Sequence, residues 1–304
     1  MQGTMTDSNL VHTTTRESIH WSHIDRMDVE ERAAAILSAT PRPFVRWAGS
    51  KQRLLSQLTP HFPTRYRTYF EPFFGAGSLF FLLRPNHAVI NDSCVPLIEM
   101  YKTVRDYSSE VYAALAPMDV LDKELYYEVR RTSPTGAVQR AARFLYLNRA
   151  AWNGLYRVNA KGEFNVPYGK PRSGNHLDPN NLRAASQLLA GSNVLMQHGD
   201  FEQALGSAGE GDFVFLDPPY ASSKRRESFV DYNEKLFTWD DQVRLAARAE
   251  ELRRAGAHVV VTNAFNTDIR DLYPNFREHP LVRRSLLSSD KTRRRPVAES
   301  ALVS

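Results

Sequence analysis

The sequence has very little cysteine and no long apolar run. Its single cysteine, Cys94, excludes an internal disulfide and any zinc site built from several cysteines. The nine histidines show no metal-ligand spacing such as His-Glu-x-x-His, and no run of about 18 apolar residues could span a membrane. The first residues also lack the apolar core of a signal peptide. We therefore expect a cytoplasmic protein without a metal or a membrane anchor.

The composition is ordinary for a globular protein, with a modest basic excess. Of the 304 residues, 42% are hydrophobic and 24% are charged, so the chain can form one large domain or two moderate ones. The formal net charge of +5 favours a polyanionic partner such as nucleic acid, although many basic enzymes never bind one. Composition alone leaves the function open.

Short apolar runs alternate with helical patterns after residue 44. Strands are predicted at residues 68–70, 88–90, 193–197, 213–216 and 258–261, and helices at residues 96–105, 137–147 and 240–254. Strands that alternate with helices predict an α/β fold with a doubly wound, mostly parallel, Rossmann-like sheet.

This alternation is interrupted between residues 120 and 190. The sequence Asn-Ala-Lys-Gly at 159–162 predicts the tip of a β-hairpin between residues 155–158 and 163–166. We therefore divide the chain into four parts. They are an N-terminal extension (1–40), the first half of the α/β domain (41–119), an inserted helical and β-hairpin domain (120–190) and the second half of the α/β domain (191–304).

Three predicted strands end in residues that suit a ligand site, because ligands of doubly wound sheets bind at the carboxyl ends of the strands. Gly75 and Gly77 form a turn after the first strand, where the backbone can approach a ligand closely. Asp92 follows the second strand and suits ribose hydroxyls. The third end is Asp217-Pro218-Pro219-Tyr220. Each of these features also has a plain interpretation as a turn.

The tetrapeptide at 217–220 is the most specific of the three. Its prolines remove backbone donors and stiffen the chain, which leaves the Asp217 carboxylate, the Pro218 carbonyl and the Tyr220 ring at the edge of the sheet. Two acceptors and one aromatic face suit a flat ring that carries an amino group, such as a nucleobase. A simple strand-ending turn remains the alternative.

Ordered blocks of sequence then indicate a family. They lie at residues 44–51, 71–78, 148–157, 162–169, 217–220, and 282–285 with 292–293. In these blocks the chain resembles the Dam-type DNA adenine-N6 methyltransferases, in the motif order cofactor, target recognition, catalysis. The resemblance covers about residues 44–301. It implies S-adenosyl-L-methionine (AdoMet) as methyl donor, double-stranded DNA as partner and N6 of adenine as acceptor.

By position, the resemblance also implies which residues bind AdoMet. They are Trp47, Lys51, Glu71, Gly75, Gly77, Asp92 and Asp217. Trp47 and Lys51 would contact the donor, Asp92 would hold its ribose, and Glu71 would reach its methionine moiety. A core role for Trp47 and a surface role for Lys51 stay open.

The resemblance implies that Asp217, Pro218 and Tyr220 carry the chemistry. Hydrogen bonds from the adenine amino group to the Asp217 carboxylate and the Pro218 carbonyl would localise the nitrogen lone pair and aim it at the methyl group. The target base must leave the duplex stack to reach them, and Tyr220 would stack on it. We expect Asp217 to act as an acceptor rather than as a strong base.

In the inserted segment the resemblance implies the DNA contacts. They are Trp152, Asn153, Leu155, Arg157 and Pro167, with Arg283 and Arg284 on the phosphates. Trp152 would wedge into the duplex, and the Arg157 guanidinium suits O6 and N7 of guanine. These matches suggest a GATC-like target. A surface hairpin with a local aromatic cluster is the alternative.

Two departures from the family pattern stand out. Residues 262–264 read Thr-Asn-Ala where Ser-Asn-His or a similar sequence is more usual, and Trp152 is bulkier than the expected tyrosine. The alternatives are methylation of another amino group (cytosine N4, RNA adenine or a protein glutamine) and a non-catalytic DNA-binding relic. We favour a monomer, and we expect the loop at 221–239 to close over the flipped base.

Overall fold

The computed structural model describes residues 40–174, 177–191, 193–220, 237–284 and 296–304. Residues Pro41–Ser304 form one compact unit. The predicted N-terminal extension (except Thr40) and residues 221–236 of the predicted closing loop lie outside the described residues.

A single mixed sheet forms the centre of this unit. Its strands are β1 (Tyr69–Glu71), β2 (Ala88–Asp92), β3 (Val194–His198), β4 (Phe213–Leu216), β5 (His258–Ala264), β6 (Arg277–Arg284) and β7 (Pro296–Val303). Their order is β3-β2-β1-β4-β5-β7-β6. The first five strands pair in parallel, and β7 is antiparallel to both β5 and β6. The predicted α/β, mostly parallel sheet is confirmed, while the β6–β7 pair was not predicted.

Nine α-helices connect the described strands. They are α1 (Leu55–Leu58), α2 (Ser78–Leu83), α3 (Val95–Leu115), α4 (Lys123–Arg131), α5 (Ala137–Ala150), α6 (Pro179–Leu189), α7 (Phe201–Ala204), α8 (Trp239–Arg254) and α9 (Thr267–Asp271), with short 3-10 turns at Lys51–Arg53, Thr59–His61 and Trp152–Gly154. The three predicted helices correspond to α3, α5 and α8, and α3 is longer than predicted.

Strand β4 lies at the centre of the sheet and is buried on both faces. Phe213 and Phe215 belong to one hydrophobic cluster, while Val214 and Leu216 belong to the other. A strand covered on both faces reads as a continuous apolar run rather than as an alternating one, which explains why this segment is so apolar.

Helix α8 begins at a capping box. The Asp241 backbone amide donates to Thr238 Oγ1 at 3.2 Å, and the Thr238 amide donates to Asp241 Oδ2 at 2.9 Å. Gly256 follows the helix with a φ of +88°, a conformation in which glycine carries no side-chain strain. The cap fixes the first turn of α8, which carries a residue of the site described below.

The segment that was predicted as an insertion contributes α4, α5, α6 and a hairpin. Helices α5 and α6 pack along α3. The hairpin holds only one isolated bridge, Val158 to Phe164, in place of the two predicted strands. Its turn is closed by the Asn159 side chain, which accepts from the amides of Lys161 and Glu163 at 2.9 and 3.0 Å. The division of the chain into functional domains stays a prediction.

In the described part of the chain, no helix is long and apolar enough to cross a membrane. The same residues contain no group of three or more His, Cys, Asp or Glu side chains that could hold a metal ion.

Candidate active site

Three of the predicted carboxylates meet at one edge of the sheet. Glu71 is the last residue of β1, Asp92 is the last residue of β2, and Asp217 directly follows β4. Since these strands are parallel, their carboxyl ends share one edge. Asp92 and Asp217 both lie near enough to Glu71 to raise its pKa by charge repulsion.

Asp217 is held from two sides by side chains. Lys51 Nζ lies 2.6 Å from Oδ1 and 2.7 Å from Oδ2, and Thr262 Oγ1 donates to Oδ1 at 2.7 Å. Burial raises the pKa of Asp217 above the usual aspartate value, while the Lys51 ammonium and the Thr262 hydroxyl oppose this shift. A carboxylate has about four lone-pair positions, so Asp217 retains the capacity to accept a further hydrogen bond.

A residue that the sequence analysis missed, Glu299 of β7, joins this group. Tyr220 Oη donates to Glu299 Oε2 at 2.5 Å, and Lys51 Nζ lies 3.8 Å from the same oxygen. The Lys51 ammonium also lies 5.1 Å from the centroid of the Tyr220 ring. Lys51 therefore contacts both carboxylates and the ring that is predicted to stack on the base.

A second missed group fixes the proline turn. The fully buried Gln242, in the first turn of α8, donates from Nε2 to the Pro219 carbonyl at 3.1 Å. Asn263 of β5 donates in turn to Gln242 Oε1 at 3.0 Å. Within the described residues, no hydrogen bond involves the Pro218 carbonyl.

The glycine turn is organised by Asp92. Its Oδ2 accepts from the Gly75 amide and its Oδ1 from the Cys94 amide, both at 2.9 Å. Burial raises the pKa of Asp92, and these two amides oppose the shift. Tyr101 Oη donates to the Gly75 carbonyl at 3.1 Å. Asp92 thus has a structural role that the sequence analysis did not assign.

Trp47 lies directly over the glycine turn. A Cβ atom at Gly75 would stand 2.6 Å from Trp47 Cδ1, and the φ of Gly75 is +50°, so the position requires glycine. Gly77 is similarly confined, because a Cβ atom there would stand 2.5 Å from the Phe74 ring. The Trp47 ring also stacks on Tyr156 of the hairpin at 6.0 Å between centroids. Trp47 therefore connects the glycine turn to the hairpin.

Glu71 is deeply buried beside this turn. Tyr69 Oη donates to Glu71 Oε2 at 2.9 Å. Burial raises the pKa of Glu71 to about 8, with repulsion from Asp217 and Asp92 adding to the effect. Glu71 is therefore largely protonated near neutral pH in the free protein.

The predicted DNA-contacting residues of the insertion lie around the hairpin. Trp152 is 51% exposed, its backbone amide donates to the Pro167 carbonyl at 3.0 Å, and Asn153 and Pro167 are also exposed. Leu155 packs partly against the core. The Arg157 guanidinium is oriented by Asn165, whose Oδ1 accepts from Nε at 2.7 Å.

The side chains of Arg283 and Arg284, predicted to contact phosphates, lie outside the described part of the structure, although their backbone ends β6.

A cavity of about 750 Å³ is lined by residues of α3, α4, α5 and the hairpin. Its lining includes the basic residues Arg130, Arg140, Arg143 and Lys161 and the hairpin residue Asn165. None of the three edge carboxylates lines it. No single motif in the sequence marks this basic surface, because its residues come from three separate segments.

The strand order, the glycine turn and the carboxylates at its carboxyl edge define a methyltransferase of the Rossmann-like class, whose members generally use AdoMet. Residues 47–285 match the D12 class N6 adenine-specific DNA methyltransferase family. The chain belongs to this family, and it is an adenine-specific DNA methyltransferase.

Curated relatives agree with this assignment. The chain is 36% identical over 247 residues to the type II methyltransferase M1.LlaDCHI of Lactococcus lactis subsp. cremoris. The matched region covers 79% of this chain and 87% of the relative. It is 33% identical over 277 residues to the type II methyltransferase M.MjaIII of Methanocaldococcus jannaschii, in a match that covers 84% of this chain and 95% of the relative. It is 31% identical over 260 residues to the DNA adenine methylase of Escherichia coli K12, in a match that covers 84% of this chain and 92% of the relative.

Proposed function

We propose that the chain binds AdoMet at the carboxyl edge of its sheet and methylates N6 of a flipped adenine held by Asp217, Pro218 and Tyr220. The observation that carries this proposal is the arrangement of the turn at 217–220. Asp217 is held by Lys51 and Thr262, and the turn itself is fixed through Gln242. Two rigid acceptors thus remain available beside one aromatic ring.

The residues at the edge fit AdoMet. The site combines the carboxyl groups of Glu71, Asp92, Asp217 and Glu299 with one lysine. A ligand that carries an ammonium and a sulfonium would favour the ionised form of these groups. The two glycines of the turn at 75–77 let the backbone pack directly against the Trp47 and Phe74 rings. When bound, AdoMet supplies an electrophilic methyl group. Glu71, Asp92 and Trp47 would contact its methionine, ribose and ring system.

The chain's own residues would activate the adenine amino group. This nitrogen is a weak nucleophile because its lone pair is delocalised into the ring. Accepting its two hydrogens at Asp217 and at the Pro218 carbonyl localises the lone pair and fixes its direction. Asp217 is paired with the Lys51 ammonium, which favours the ionised carboxylate that this role needs.

The hairpin would select and extrude the base. An exposed indole at Trp152 suits insertion into a base stack. Asn165 binds Nε and one terminal nitrogen of Arg157, and the guanidinium has further N–H donors for O6 and N7 of a guanine. Asn153, Leu155 and Pro167 complete this surface, and the basic cavity beside it suits the phosphate backbone. We propose a GATC-like target on the basis of these residues.

The experiment is transfer of labelled methyl groups from AdoMet to a panel of duplexes, followed by mapping of the modified base. A duplex that contains GATC should be labelled at adenine N6, while duplexes of the same composition with scrambled sites should not. Equal labelling of all duplexes would refute the proposed specificity without affecting the proposed chemistry.

The proposed chemistry is tested separately with Asp217→Ala. This variant should bind DNA and remain folded by circular dichroism, yet lose methyl transfer on every duplex. Turnover near that of the wild type would refute the role of Asp217.

A further inference from the structure

The antiparallel strand β7 brings Glu299 to the ligand edge of the sheet. Glu299 pairs with Ala264, the last residue of β5, and with Leu281 of β6. Since β7 runs against β5, the beginning of β7 lies beside the carboxyl end of β5. Thr262, which donates to Asp217, pairs with Ala301 two residues further along β7, so Thr262 and Glu299 share one face of the sheet.

The Glu299 side chain is 1% exposed and faces two groups of the site. Its Oε2 accepts from Tyr220 Oη at 2.5 Å and lies 3.8 Å from Lys51 Nζ. A hydrogen bond from a hydroxyl to a carboxylate is short and is about twice as strong as one between neutral groups. The bond is made at the far end of the Tyr220 side chain, where it limits the motion of the ring most.

We propose that Glu299 is a positioning residue for base flipping, because it holds the Tyr220 ring in the orientation that receives the extruded adenine. This proposal rests on the proposed stacking role of Tyr220. Glu299 does not touch the base in this mechanism. It acts through the tyrosine hydroxyl, and its contact with Lys51 keeps the same oxygen next to the cation that holds Asp217.

The test measures base flipping without methyl transfer. A duplex carries the fluorescent analogue 2-aminopurine at the adenine that the wild-type enzyme methylates, as mapped with labelled methyl groups, and S-adenosylhomocysteine replaces the donor. Fluorescence rises when the analogue leaves the stack. We expect Glu299→Ala and Tyr220→Phe each to lower the flipping equilibrium about tenfold, the approximate contribution of one charge-assisted hydrogen bond.

The two changes should not add, because both remove the same hydrogen bond. The double variant should flip the base no less than either single variant, and Glu299→Gln, which keeps an acceptor, should recover most of the signal. Additive losses, or a normal signal in Glu299→Ala, would overturn the proposal. If Glu299→Ala does not fold, Tyr220→Phe decides, because it removes the same hydrogen bond and leaves Glu299 in place: a normal signal in Tyr220→Phe overturns the proposal.

A matched control separates positioning from stability. Asp212 is also a buried carboxylate at 1% exposure, and it pairs with Arg67 at the opposite edge of the sheet. Asp212→Asn should lower the melting temperature and leave flipping unchanged. Tyr220→Ala tests the proposed function on its own. If Tyr220→Ala flips the base normally, the stacking role is wrong and the Glu299 proposal is refuted with it. If Tyr220→Ala loses the flipping signal while Glu299→Ala keeps it, only the Glu299 proposal is refuted.

Discussion

Replacing Lys51 with methionine tests whether the site is held together by its one buried ammonium. Lys51 is 4% exposed, its Nζ lies 2.6 Å from Asp217, and Glu299 lies 3.8 Å away on the other side. Breaking a buried ion pair by removing one partner costs about 3–5 kcal/mol. Asp217 is still 16% exposed and keeps the hydrogen bond from Thr262, so we expect a loss of about 3 kcal/mol, the lower end of that range.

The stability lost in Lys51→Met should depend on pH, because the unpaired Asp217 carboxyl group can take up a proton. Without the ammonium, only the Thr262 hydroxyl opposes the rise in the pKa of Asp217 that burial causes. When folding raises the pKa of a carboxyl group, the stability of the protein is unaffected by that group below its unfolded pKa, near 4. This stability is then lost as the pH rises through the folded pKa. The deficit of Lys51→Met relative to the wild type should therefore be small at about pH 5 and full at about pH 8.

Urea unfolding at these two pH values measures the deficit directly. Lys102→Met is the matched control, because Lys102 forms an exposed ion pair with Glu99 at 3.5 Å and should change stability by less than about 0.5 kcal/mol. The double variant Lys51→Met/Asp217→Asn should be more stable than the single one at about pH 8, since the uncompensated charge is gone. A deficit below about 1 kcal/mol, or one that is equal at both pH values, would refute this reasoning.

Three further predictions concern the donor site and the hairpin. Gly75→Ala should lower stability by about 1–3 kcal/mol and weaken AdoMet binding in calorimetric titration, since its Cβ would stand 2.6 Å from Trp47 at a φ of +50°; unchanged affinity would contradict this. The stability of the wild type should fall as the pH rises from the ordinary glutamate value of 4.5 to about 8, because folded Glu71 retains a proton that the unfolded chain releases. Glu71→Gln should flatten that slope in unfolding experiments, and an unchanged slope would assign it to other groups. Trp152→Ala should alter stability by less than about 0.5 kcal/mol, since the side chain is 51% exposed, but it should lower the 2-aminopurine signal; an equal signal would remove the wedge role.

The sequence predicted the five parallel strands but ended four of them too early, β1 and β3 by one residue and β2 and β5 by more. Strand β2 continues through Asn91 and Asp92, and β5 continues through Thr262, Asn263 and Ala264. Both extensions are polar because they carry site side chains, such as the Asp92 carboxylate that binds the Gly75 amide. A search for apolar runs therefore ends a strand before the polar residues that it carries at the ligand edge.

The β6–β7 pair was missed for a related reason. Strand β7 holds two buried polar residues side by side, Glu299 and Ser300, and β6 contains Pro280 and several charged residues. Neither segment shows the alternation of apolar and polar residues that identifies a half-buried strand. Their pairing depends on long-range contact with β5, which no local pattern encodes.

The motif at 217–220 could be found from sequence because its prolines and aspartate are adjacent, whereas the residues that hold it come from distant segments. Gln242 reaches Pro219 from α8, Asn263 orients Gln242 from β5, and Glu299 reaches Tyr220 from β7. A buried glutamate and a surface glutamate look alike in a sequence, so only strand register separates them. Parallel strands bring their last residues to the ligand edge, but an antiparallel strand brings its first residues there. Candidate site residues in this fold class should therefore be sought at the beginnings of antiparallel strands as well, which is where Glu299 lies.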